Sequence, residues 1–187
     1  MNGSQDSLEA IVQDYVRQYR DAAAKELRWF NIQKTLPDAV RRAGMAEGPM
    51  GRRLHHQRRI PRRVLEASTR LLLERLPELE ACATFDQLFY LVGETIDPLP
   101  GIGELTVYDT ALRIGAKLNM SPERVYLHAG TRWGARALGL DHARVSLLPT
   151  ELPVALRVLE PHEMEDLLCM YKSRLQKLQA SFPGSLS

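Results

Sequence analysis

The sequence predicts an all-α protein. Leucine and alanine dominate over valine and isoleucine, the apolar residues recur at three- and four-residue spacing almost throughout, and the periodic segments begin and end at recognisable helix caps. The chain has 187 residues, 44% hydrophobic and 26% charged. That length buries a core without staples, and the composition excludes a wholly disordered, collagen-like or membrane-spanning chain.

Asp6 with Glu9 makes a capping box that opens a first helix running to about Gln33. Its stripe, from Leu8, Ile11, Val12 and Tyr15 to Leu27 and Phe30, needs a cover, supplied by the rest of the domain or by a second copy of the protein. The heptad fails at Glu26, which favours the first. A short helix follows from Pro37 to Ala43 and stops at Gly44. Residues 46–60 hold Gly48, Pro49 and Gly51 among arginines and histidines with almost nothing apolar, so a mobile loop is expected. Helices then run from Ile60 to Leu76 and, behind a Thr84–Gln87 capping box, to about Thr95. Ser121, Pro122 and Glu123 signal a helix over 122–138, closed by Gly139. Gly130 and Gly134 on its apolar face let another helix approach closely. The last helix starts near Pro161 and docks through Met164, Leu167, Leu168, Tyr171, Leu175 and Leu178. The expected organisation is an N-terminal helical part (1–45), the Arg/His-rich loop (46–60), a helical core (61–160) and a C-terminal helix with its tail (161–187).

No stretch approaches eighteen apolar residues, and residues 1–14 are polar and acidic. Neither a membrane-spanning helix nor a secretory signal is expected, and the expected address is the cytoplasm. Cys82 and Cys169 lie far apart without ligand spacing, so they read as buried thiols, with no disulfide, metal or cofactor expected.

The net charge of +2 hides a sharp asymmetry. Residues 41–63 carry eight arginines against one acid, Glu47, whereas residues 74–109 carry eight acids against one arginine, Arg75. The two blocks either neutralise one another or leave the first facing a polyanion. Arginine outnumbers lysine twenty to five, and its planar fork suits phosphate, although genome composition alone produces such a bias.

Between two predicted helices stands Asp97-Pro98-Leu99-Pro100-Gly101-Ile102-Gly103-Glu104-Leu105. Over residues 84–118 this arrangement resembles the helix-hairpin-helix motif of DNA-binding and DNA-repair proteins. The resemblance implies that Gly101 and Gly103 make a tight hairpin whose backbone approaches a DNA phosphate, while Ile102 anchors the turn in the core. The physics runs the same way: glycines reach positive φ, and the N–H groups opening the next helix attract an anion. Such contacts hold DNA without reading sequence. Glu104 departs from the family pattern, because a carboxylate there repels a phosphate or occupies the helix start itself. The bland alternative is a turn that only joins two helices.

On the 122–138 helix, Arg124, His128, Arg132 and Arg136 recur every fourth residue as a basic stripe beside an apolar face of Val125, Ala129, Trp133 and Ala137. The stripe is either a rim around the hairpin or a solvated side. Asp109 stands six residues beyond Gly103, too close for the aspartate of base-excision glycosylases, and reads as a surface or capping carboxylate. Paired His55 and His56 lack partners at helical spacing, so no metal is expected.

The leading expectation is a protein that binds DNA without sequence specificity. Its phosphate contacts are Gly101, Ile102 and Gly103 at the hairpin, Arg52, Arg53, Arg58 and Arg59 on the arm, and Arg124, Arg132 and Arg136 on the basic helix. A protein-interaction or dimerisation module, with the arm gripping an acidic protein and the N-terminal helix joining copies, is the alternative from another class. A nucleic-acid repair or modification enzyme is the third; no catalytic residue is assigned.

Overall fold

A computed structural model describes residues 7–181 and is mostly helical, as the sequence predicts. The chain divides into two compact units. One combines residues 7–22 with residues 123–181, and the other is the intervening Ala23–Pro122 segment. The expected 61–160 body therefore divides at Pro122, and residues 7–22 share a unit with residues 123–181.

In the first unit, α1 (Leu8–Tyr15) starts at Ser7, whose side chain accepts from the Ala10 N–H at 3.2 Å. Asp6, the expected cap, lies outside the described residues, as does the C-terminal tail beyond residue 181. A π-helical turn over Val16–Arg20 leads into α2 (Asp21–Asn31), along which the chain passes to the second unit. The expected 122–138 helix is shorter: Val125–Tyr126 is β1, paired antiparallel with β2 (Ser146–Leu147), and α8 spans Ala129–Ala137. Two features override the helix signal at Ser121. The backbone of Val125–Tyr126 pairs with Ser146–Leu147, and Val125, Tyr126 and Leu127 are all buried, as in a short strand covered on both faces. His128 then caps α8 reciprocally with Thr131, its backbone N–H donating to Thr131 Oγ1 at 2.6 Å. The buried face of α8 is Thr131, Gly134, Ala135 and Ala137, leaving Trp133 52% exposed instead of inside.

The expected last helix bends at Tyr171 into α9 (Pro161–Met170) and α10 (Lys172–Ser181). All six of its predicted docking residues, Met164 to Leu178, are buried in one core with Leu8, Ile11, Val12 and Tyr15 of α1. Helices α8 and α9 pack closely because a side chain at Gly134 would collide with the Leu168 carbonyl.

In the second unit, α3 (Leu36–Gly44) is capped by Thr35, α4 covers Arg62–Glu74, and α5 (Leu76–Ala81) is a turn of helix that the sequence pattern does not separate. Helix α6 (Phe85–Ile96) begins at Thr84, whose Oγ1 accepts from the Gln87 N–H at 3.2 Å, as its capping box predicts. Helix α7 (Glu104–Leu118) packs against α6 and α3 and ends at Asn119 in the left-handed conformation. No described helix is long and apolar enough to cross a membrane.

Candidate functional site

The turn between α6 and α7 is open to solvent. Gly101 and Gly103 are exposed and Ile102 is half-buried, so Ile102 anchors the turn only partly. The turn holds itself by backbone bonds: Ile102 N–H to Leu99 O at 3.0 Å, then Thr106 N–H to Gly103 O at 2.8 Å. The N–H groups of Gly101 and Gly103 make no hydrogen bond among the described residues. Gly101 has φ +93°, which demands glycine, but Gly103 sits at φ −132° and caps α7 in extended conformation. The expectation of positive φ at both glycines is thus corrected. A Cβ on Gly103 would meet nothing within 4 Å. Asp97 and Glu104 beside the turn are exposed acids, so the local charge opposes an anion.

Residues 46–60, expected to lack internal structure, follow a path fixed by polar contacts. The backbone at Glu47 pairs with that at Arg53 in an isolated antiparallel β-bridge, the Leu54 N–H donates to Ala46 O at 2.8 Å, and 3-10 turns form at Pro49–Gly51 and His55–Gln57. The anchor is Gln57, only 1% exposed, whose Nε2 donates to Asp109 Oδ2 on α7 at 2.6 Å. His56 Nδ1 lies 3.2 Å from the same oxygen and Arg113 NH2 3.3 Å. Arg113 completes the cluster by bonding Glu26 at 3.1 Å and Gln57 Oε1 at 3.3 Å, with its guanidinium over the Phe30 ring. Asp109 is therefore a buried hub, 8% exposed, and its reading as a surface or capping carboxylate is corrected. Burial alone would raise its pKa, but the Arg113 charge, His56 and the Gln57 hydrogen bond outweigh it and hold the carboxyl below its ordinary value.

This anchoring sorts the arginines of residues 41–63. Arg41, Arg42 and Arg62 pair with Asp38, Glu47 and Glu66 at 3.0, 2.9 and 2.8 Å. Arg53 is half-buried and its NH1 donates to the Ile60 carbonyl at 3.2 Å, so it staples the arm, which corrects its place among the phosphate contacts. Arg52, Arg58 and Arg59 are exposed and have no side-chain partner among the described residues. Arg63 shares that state although the sequence pattern does not single it out; its place directly after Arg62 is the only signal that marks it.

The predicted basic stripe does not exist as one helix face. Arg124 precedes β1 and its Nε donates to Ser146 Oγ at 2.8 Å, and His128 is buried as a cap. Arg132 NH1 donates to the carbonyls of His142 and Arg144 at 3.0 and 2.7 Å, while Arg136 is exposed with its guanidinium 6.0 Å from the Trp133 ring centre. All of these belong to the first unit. Both cysteines are half-buried, not fully buried as expected.

Compared with models of known families, with curated proteins and with solved structures, the chain matches none.

Proposed function

We propose that the second unit binds the phosphate backbone of DNA without reading its sequence, through a helix-hairpin-helix turn at Gly101–Gly103 and the Arg52, Arg58 and Arg59 side chains. The observation that carries this reading is the Gln57–Asp109 hydrogen bond of 2.6 Å. It ties the base of the arm to α7 about 9 Å along the helix axis from Gly103, which joins the unpartnered guanidiniums and the open glycine amides through one helix. Affinity divides unequally between them. Asp97 and Glu104 oppose an anion at the turn, which leaves it an amide contact to a single phosphate oxygen, while the arm supplies the Coulomb attraction.

Titrating a random-sequence duplex against the full chain at two salt concentrations tests the reading. Replacing Arg52, Arg58 and Arg59 by alanine is expected to weaken binding and to reduce the salt slope by about 0.9 for each phosphate no longer neutralised. An unchanged slope removes the arm from the account.

A second reading places an acidic protein segment on the same Arg52, Arg58 and Arg59 side chains, which are exposed and have no side-chain partner among the described residues. A polyglutamate peptide that displaces the duplex at equal charge concentration, and binds more tightly than it, decides for this reading.

A further inference from the structure

In the first unit, three chemically active side chains meet at the start of α8. The Gly130 N–H donates to His128 Nδ1 at 3.2 Å, so that nitrogen is unprotonated and the neutral ring carries its hydrogen on Nε2. Nε2 faces the Glu165 carboxylate at 2.5 Å, and both residues are buried, at 3% and 4% exposed. Glu165 and Cys169 stand four residues apart on α9, hence on one face. A Cβ on Gly130 would lie 2.5 Å from Cys169 Sγ and 3.5 Å from His128 Nδ1. Only glycine lets the Cys169 sulfur come this close to the first turn of α8, where the His128 ring also stands.

We propose that Cys169 is a nucleophilic thiol, served by the His128–Glu165 pair, that reacts with small neutral hydroperoxides. The thiol proton moves to His128 Nδ1, and the imidazolium so formed is held by Glu165. The thiolate is left beside the first turn of α8, at the positive end of the helix. The thiolate attacks one peroxide oxygen, so the S–O bond forms as the O–O bond breaks. The leaving oxygen takes the proton from Nδ1 and, for hydrogen peroxide, departs as water. Sulfur is oxidised by two electrons to a sulfenic acid and the peroxide is reduced by two. The site selects its electrophile by size and charge. Cys169 is half-buried, which limits access to small molecules, and the Glu165 carboxylate on the same face of α9 repels anions.

Cys82 is the internal control. Its thiol donates to the Glu78 carbonyl at 3.3 Å, burial pushes its pKa up, and neither α5 nor α6 on either side of it carries a histidine. Full-length reduced protein is treated with hydrogen peroxide and a sulfenic-acid trap, and the two cysteines are followed separately by peptide mass spectrometry. Cys169 is expected to label about tenfold faster than Cys82. Glu165→Gln, which preserves shape but removes the charge that holds the imidazolium, is expected to lose about tenfold in the Cys169 labelling rate, with an unchanged circular dichroism spectrum. Equal labelling of the two cysteines in the wild-type protein overturns the proposal without recourse to any variant, and so does a folded Glu165→Gln protein whose Cys169 reacts as fast as before.

Discussion

Two arginine-bearing stretches, residues 41–63 in the second unit and residues 124–136 in the first, look alike as charge but differ as chemistry. In the first unit, Arg124 and Arg132 already donate to Ser146 and to the carbonyls of His142 and Arg144. In the second, Arg52, Arg58, Arg59 and Arg63 have no side-chain partner among the described residues. A committed guanidinium reaches a phosphate only by leaving acceptors worth about 1.5–3 kcal/mol each for a charged donor, whereas an unpartnered one gives up only water. Local net charge therefore overstates how many arginines are available to a polyanion. The acceptors within reach of each one decide it.

The sharpest way to break the contrast is at the buried hub that holds the arm in place. Asp109→Ala leaves Arg113, whose side chain is 5% exposed, with only the half-exposed Glu26 to balance it. The expected loss is about 3 kcal/mol in urea denaturation, the low end for breaking a buried ion pair because Glu26 stays. The acid limb follows from the same carboxylate. Its folded pKa lies below the ordinary 3.8, so its contribution is complete above that value and disappears as pH falls through the folded value. The wild-type protein is expected to lose stability more steeply than Asp109→Asn below about pH 4. Parallel acid limbs would mean that Asp109 is not charged by its neighbours.

The turn provides the next effect. Gly101→Val forces a β-branched residue to φ +93°, with an expected loss of about 1–2 kcal/mol. Gly103→Ala has extended backbone and empty space around the new Cβ, so a change below about 0.5 kcal/mol is expected. If both variants lose equally, the glycine requirement is not conformational.

The same contrast explains what the sequence could reveal. Helix-start signals are local, so Pro37, Thr84 and Pro161 mark the starts of α3, α6 and α9 to within a residue. The fold class follows from periodicity, which is also local. The partners of the arm are not: Gln57 meets Asp109 across 52 positions, and no pattern near either residue announces the other. Val125–Tyr126 reads as helix for the same reason, because its strand partner lies at Ser146–Leu147. The arginines are visible as a cluster, but the division into staples and open cations requires the acceptors, which come from elsewhere in the chain.

The smallest stability effects carry the most about function. Arg132→Ala removes two bonds to backbone carbonyls from a half-buried guanidinium and is expected to destabilise by about 1 kcal/mol while leaving duplex affinity nearly intact. Arg58→Ala removes no side-chain hydrogen bond or ion pair among the described residues, so the urea midpoint should not move, yet the duplex titration should show weaker binding and a salt slope reduced by about 0.9. The two variants delete the same formal charge. If duplex affinity falls equally in both, binding responds to net charge alone and the sorting by acceptors has no consequence. If it falls only for Arg58→Ala, the phosphate contact belongs to the arm, because the charge removed at Arg132 was already held by His142 and Arg144.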